Sequence, residues 1–160
     1  MKDTNKGELD KNLGENLDKA KTQKVLSFMF GNQEYGINIS YITTIIENEY
    51  PITRVPGAPD YINGVINLRG DIVPIMELRR KLKLPSIDDT QETKIIVVNF
   101  KDITIGIKVE QVNQVIEIHR NSIEIVSGIS YEDCSEYFSG LCKVNDRVII
   151  LIDIEKVIKK

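Results

Sequence analysis

Residues 61–78 read YINGVINLRGDIVPIMEL, and their patterning decides the fold. Two β-branched runs, Val65-Ile66 and Ile72-Val73, flank Asn67-Leu68-Arg69-Gly70-Asp71. Glycine reaches positive φ without a Cβ clash and aspartate bonds its own backbone, so Gly70-Asp71 supplies turn chemistry. The stretch reads as a β-hairpin with Arg69 at or beside its tip. An apolar hairpin has no structural need of a large cation there.

The same pattern recurs downstream. Residues 62–79 align without a gap with residues 138–155, Gly64 falling on Gly140, 76 positions on. A second pair of segments is also duplicated: VLSFMFGNQEYGINISYITTIIE at 25–47 aligns with IIVVNFKDITIGIKVEQVNQVIE at 95–117, Gly36 falling on Gly106, 70 positions on. Each copy predicts strand–turn–strand–turn–strand, and each later segment adds a hairpin, so each repeat holds about five short strands. A sheet this small does best by curling into a barrel, which protects its edges. The expected architecture is all-β: two five-stranded barrels, tandem or intertwined, sharing a core or a tight interface. The expected units are about 24–84 and 94–158, after an N-terminal tail of 1–23 that is flexible, partly helical or, through Leu9, Leu13 and Leu17, docked as a helix.

The repeats are not identical. Pro51, Pro56, Pro59 and Pro74 belong to the first unit only, and Leu68-Arg69-Gly70-Asp71 becomes Val144-Asn145-Asp146-Arg147 in the second. Arg69 therefore has no counterpart at its own position, which predicts different jobs for the two units. Pro74 cannot donate to a ladder and is expected on an edge strand or at a bulge. Residues 77–84, ELRRKLKL, read as a short closing helix, and Asp88-Asp89 as solvated linker residues.

Bulk properties exclude several functions. A net charge of −3 argues against a nucleic-acid surface. The first 24 residues are polar and charged, unlike a signal peptide, and no apolar run has membrane-spanning length, so a soluble cytoplasmic protein is expected. Cys134 and Cys142 then read as free thiols, without the spacing of a zinc site. His119 is the only histidine and reads as a turn residue. Neither a GxxxxGK[ST] nor a GxGxxG loop occurs. No catalytic residue, metal site or cofactor is expected. Arg69-Gly70-Asp71 and Asn38-Ile39-Ser40 match integrin and glycosylation motifs that a cytoplasmic protein has no use for.

Two readings of Arg69 stay open: an exposed turn residue without a role, or a guanidinium fork held at a junction where it organises a partner surface. Ile42, Ile45 and Ile46 pose a related question. Neighbouring side chains on a strand leave by opposite faces, so Ile45 and Ile46 cannot both enter one barrel core.

The segments 28–39 and 52–79, with TRVPxxPxYxxGVINLRGxxxPxxxLR at their centre, resemble the CheW-type chemotaxis adaptors over nearly the whole chain after residue 24. That resemblance implies two intertwined SH3-like barrels and a non-enzymatic scaffold. Its partners would be the cytoplasmic tips of chemoreceptors (methyl-accepting chemotaxis proteins) and the regulatory domain of the histidine kinase CheA, joined in arrays, with no nucleic acid and no direct membrane insertion. The stand-alone adaptor is the expected member, since the two units leave no room for the further domains of CheA or CheV. The resemblance points to Ile42, Thr43, Ile45, Asn67, Leu68, Arg69 and Gly70 as receptor- or kinase-binding residues. Ile45 stands where many members carry an acidic residue, which removes one possible carboxylate partner of Arg69 and leaves Glu47 as a candidate.

Overall fold

The hydrophobic residues of the long strands face both ways, and the topology explains why. The computed structural model describes residues 21–125 and 135–159. Its strands are β1 (Thr22–Phe30), β2 (Gln33–Asn38), β3 (Ile42–Glu47), β4 (Ile62–Leu68), β5 (Asp71–Glu77), β6 (Lys94–Phe100), β7 (Ile103–Val109), β8 (Gln111–His119), β9 (Ile123–Glu124), β10 (Phe138–Val144) and β11 (Arg147–Ile152). They form a sheet of order β3-β6-β7-β5-β4 and another of order β8-β1-β2-β11-β10-β9, the two SH3-like barrels.

Each barrel draws strands from both sequence repeats. Hairpin β1–β2 of the first repeat lies between β8 and β11 of the second, and hairpin β6–β7 of the second lies between β3 and β5 of the first. The exchange is symmetric to the residue. Gly36 pairs with Ser27 and Leu151, while Gly106 pairs with Val97 and Ile75, the positions that the repeat alignment makes equivalent. The insertion on β5 or β11 is parallel in both barrels. The isolated bridge Thr53–Val65 occupies the place of β9 in the other barrel. Both contacts need a glycine opposite. A Cβ on Gly64, whose φ is +148°, would lie 2.3 Å from the Thr53 carbonyl oxygen, and one on Gly140 would lie 2.8 Å from that of Glu124.

Three cores follow. Ile66, Val73, Ile75, Ile95 and Val97 fill the first barrel, and Val25, Ile118, Cys142, Ile149 and Leu151 the second. The alternate residues of the same strands, Leu26, Phe28, Ile96 and Val98 among them, meet in a larger core shared by the barrels. Strands apolar on both faces are therefore required here, because each face is covered.

Two expectations are corrected. Pro74 is not on an edge, since β5 lies between β4 and β7, and it stands near a bulge rather than at one, the register shift between Ile62 and Gly64 beginning past the neighbouring Gly64–Ile75 pair. Its missing donor is tolerated because the parallel ladder with β7 starts one residue later, at Ile75–Gly106. Asp89 is not merely solvated: it accepts from the Lys108 ammonium at 2.6 Å and the Asn48 amide at 2.9 Å, tying the linker to β7 and to the end of β3.

The helix at Leu78–Lys81 and the helix at Ile154–Lys159 close the two repeats. Lys81 is buried, with its ammonium 4.3 Å from the ring centroid of Tyr61 and 5.5 Å from that of Tyr137, and it donates to the Val157 carbonyl. Tyr61 and Tyr137 are equivalent in the repeat, as are Lys81 and Val157, so one cation sits beside the pseudo-two-fold axis. Desolvation by burial lowers its pKa below the usual lysine value, opposed by the carboxylate of Glu136.

Candidate functional site

The NLRG segment forms a two-residue turn between Leu68 and Asp71. Arg69 takes φ 53° and Gly70 φ 92°, the pair of positive values that a type I′ hairpin requires. For arginine this conformation costs about 1–2 kcal/mol. Asn67 secures it, its side-chain oxygen accepting from the Gly70 amide at 2.9 Å. Hence two members of the motif shape the turn and a third is held outward by it. Arg69 is exposed, and among the described residues it has no ion-pair partner. Glu47 is engaged elsewhere, 2.8 Å from the Lys94 ammonium.

A groove opens beside this tip. One wall is Leu68, Arg69, Asp71 and Ile72, and the other is Asn99, Asp102, Ile103 and Thr104 of the exchanged hairpin β6–β7, with Thr43, Thr44 and Ile46 of β3 completing it. Val73 and Val97 form the floor and belong to the first-barrel core. Ile72 is 66% exposed and Ile103 49%, unusual for isoleucine. Apolar side chains framed by charged and polar ones are the anatomy of a protein-binding patch.

Of the residues named from the sequence, Thr43, Leu68 and Arg69 line the groove, and Asn67 and Gly70 build its turn. Ile42 and Ile45 do not line it. Ile42 packs against the shared core, and Ile45 is exposed on β3, where the alternate residue Ile46 turns toward the first-barrel core. Sequence reasoning missed Ile72 and the whole wall from β6–β7. Strand exchange delivers that wall from the other repeat, and its only local signal is Ile103, an apolar residue directly after a polar turn.

The second barrel carries the equivalent groove, lined by Met29, Asn32, Gln33, Glu34, Asn113, Arg147 and Val148. Its chemistry differs. Glu34 is buried and accepts from the Ser27 hydroxyl, and Arg147 approaches it at 3.4 Å. Asn113 donates to Ser27 at 3.4 Å. The first barrel has Thr104, Val97, Asp71 and Thr43 at these four positions.

The other residues weighed for chemistry lie outside both grooves. His119 is exposed at the end of β8, its carbonyl accepting from Ser122. Cys142 is a buried free thiol, and Cys134 lies outside the described residues, as does the Leu9-Leu13-Leu17 series. Among the described residues no three His, Cys, Asp or Glu side chains are placed to hold a metal, and no helix is long and apolar enough to cross a membrane.

Comparison with known proteins agrees with this architecture. The CheW-like domain family matches residues 24–160. The chemotaxis protein CheW of Bacillus subtilis is 36% identical over 138 residues, covering 86% of this chain and 88% of that protein. The chemotaxis protein CheW of Klebsiella aerogenes is 38% identical over 136 residues, covering 85% and 81%. The crystal structure of the scaffolding protein TtCheW from Thermoanaerobacter tengcongensis superposes with a TM-score of 0.76 at 30% identity, over 82% of this chain and 88% of that one. With its duplicated sequence, exchanged hairpins and NLRG turn accounted for, this chain belongs to the CheW family of chemotaxis scaffolds.

Proposed function

We propose that this protein couples chemoreceptors to the histidine kinase CheA in the cytoplasm, acting as a scaffold without chemistry of its own, and that the first-barrel groove is its receptor-facing surface. The observation that carries the reading is the outward-held Arg69 above the exposed side chains of Ile72 and Ile103. A strained turn that presents a cation beside exposed isoleucines stabilises nothing within the chain. It makes sense as a surface prepared for a partner. A receptor tip offering apolar side chains and a carboxylate or carbonyl for Arg69 would bury both features at once. The second groove satisfies its polar groups internally and leaves less for a partner to claim.

The proposed receptor surface comprises Thr43, Asn67, Leu68, Arg69 and Gly70 together with Ile72 and Ile103; Ile42 and Ile45 would act from β3 beside it, Ile45 through its exposed side chain. The test is a titration of the protein against a receptor-tip fragment and against the CheA regulatory domain, each with and without a chelator. Saturable binding to both, insensitive to the chelator, is expected. Binding to neither would overturn the coupling role, and chelator sensitivity would overturn the metal-free reading.

A further inference from the structure

We propose that the N-terminal segment around Leu17 is a strap, laid across Ile39 and Phe100 as residues 87–89 of the linker are laid across Val109 and Phe30 in the other half of the molecule. The proposal is independent of the receptor-binding reading.

The duplication reaches further upstream than its strands. At the same spacing of 70 residues, Leu17-Asp18 falls on Ile87-Asp88, and Lys24 falls on Lys94. An apolar residue followed by aspartate therefore stands seven residues before an equivalent lysine in both repeats. Leu9 and Leu13 fall on Arg79 and Lys83, so Leu17 is the one leucine of that series with an apolar equivalent.

The work of the linker copy is visible. Ile87, Asp88 and Asp89 share a small cavity with Phe30, Thr93 and Val109. Lys108 and Asn48 anchor Asp89, which holds the linker down over that cavity. Beneath it Phe30 is 5% exposed and Val109 1%, and Thr93 is buried.

The equivalent surface is more open at all three positions. Phe100 takes the place of Phe30, Ile39 that of Val109, and Gln23 that of Thr93. Ile39 is 36% exposed, and Phe100 and Gln23 are half-buried. The strands beneath have the same register in both halves, Ser27 pairing with Gly36 as Val97 pairs with Gly106. The difference therefore lies in what covers them. Covering an exposed isoleucine and the edge of an aromatic ring removes apolar surface from water, which favours an apolar occupant.

The chain delivers that occupant itself. The Lys21 carbonyl accepts from the Arg120 amide at 2.7 Å, which fixes the entry to β1 four residues after Leu17. Leu17 needs no longer reach to Phe100 than Ile87 makes to Phe30, since the two lie equally far ahead of their strands' equivalent lysines. A tethered segment of this length competes with any separate molecule at an effective concentration of about millimolar. The charges agree with it. The Lys101 ammonium lies 5.4 Å from the centroid of the Phe100 ring, where the other half has Gly31, and it supplies a cation for Asp18 beside Leu17. The strap takes the irregular path of the linker and not the helix that three leucines at a spacing of four would suggest.

The test is nuclear magnetic resonance on the full chain with labelled leucine and isoleucine methyls. Overhauser contacts are expected from the Leu17 methyls to the Phe100 ring and to the δ1 methyl of Ile39. Leu17→Ile, which installs the residue of the linker copy, should keep contacts to both. Leu17→Ser should shift the Ile39 and Phe100 resonances and leave those of Ile87 and Phe30 in place. Contacts from Leu9 or Leu13 in place of Leu17 would overturn the proposal, as would Ile39 and Phe100 resonances unmoved by Leu17→Ser. A mixture of labelled and unlabelled chains separates the remaining case: contacts found only between molecules would assign the surface to a second copy and overturn the strap.

Discussion

The two barrels present one groove twice and fill it with opposite chemistry. In the first, Val73 and Val97 form an apolar floor, and the charged residues Arg69, Asp71 and Asp102 are without ion pairs among the described residues. In the second, Ser27, Glu34, Asn113 and Arg147 bond to one another across the same space. The backbone is duplicated and the side chains are divided between tasks. One copy turns its polar groups inward and holds strands together; the other leaves its apolar and charged groups outward, on the face proposed above as the receptor surface. Fold symmetry is therefore no guide to the chemistry that each groove presents.

The largest expected effect probes the contact that both barrels share. Gly64→Ala should destabilise the protein by about 3 kcal/mol, because the new Cβ meets a backbone carbonyl in a conformation that disfavours side chains. The urea midpoint measures it. Gly140→Ala should cost less, since its Cβ would stand 2.8 Å from a carbonyl oxygen rather than 2.3 Å and the positive φ of Gly64 is not shared by Gly140. Equal losses would mean that the two bridges carry equal strain.

Next come the two arginines. Arg69→Ala should leave folding unchanged by circular dichroism and weaken receptor-tip binding by about 1.5–3 kcal/mol, roughly 10- to 150-fold. Arg147→Ala should do the opposite, lowering stability by about 1–2 kcal/mol as Glu34 loses its cation, with receptor affinity intact. Unchanged receptor affinity in the first variant would remove Arg69 from the surface.

Ile72→Ser should reduce receptor affinity about tenfold, the scale of a partly buried isoleucine side chain, with stability altered by less than about 0.5 kcal/mol. Val148→Ser, the equivalent change in the second groove, is the control and should leave receptor binding alone. A loss in both would show that partners use both grooves.

Arg69→Gly sharpens the comparison from the stability side. Glycine accepts the positive φ, so the variant should be more stable by about 1 kcal/mol while binding receptor as poorly as Arg69→Ala. A destabilised Arg69→Gly would mean that the arginine supports the turn.

The smallest effect concerns Lys81. Its folded pKa lies below the unfolded value, so in the interval between them the unfolded chain holds more protons, and stability should rise with pH across that interval. Below it the cost of the buried charge is present in full. Urea midpoints at pH 8.5 and pH 10 should diverge in this direction for wild type relative to Lys81→Met; parallel curves would show that the ammonium remains solvated.

Much of this was legible from residue identities. Gly36 on Gly106 and Gly64 on Gly140 announced the duplication, and the β-branched runs announced the strands. The hairpin was legible because glycine has one physical role at its tip; Asp71, read from the sequence as a turn residue, instead pairs with Leu68 as the first residue of β5, and Asn67 makes the side-chain bond that secures the turn. What the chain alone could not reveal is which barrel a hairpin joins. Val97 reads as a core residue under either pairing, and only its neighbours tell whose core it enters. The far wall of the groove was hidden for the same reason, since Ile103 lies in sequence with the wrong repeat. Pro74 misled because a proline tolerated before a parallel ladder looks like one at an edge. Asp89 misled because its cation, Lys108, is distant in sequence.

The exchanged hairpins also bear on how such a molecule can be divided. A cut within residues 85–93 would separate the repeats in sequence without separating the barrels, because each fragment would keep a hairpin lodged in its neighbour. Neither fragment alone could complete a barrel, yet two fragments made separately would carry every strand needed to rebuild the whole. After a gene duplication, that interdependence keeps the copies from being lost singly: a lineage that discards one repeat discards both folds.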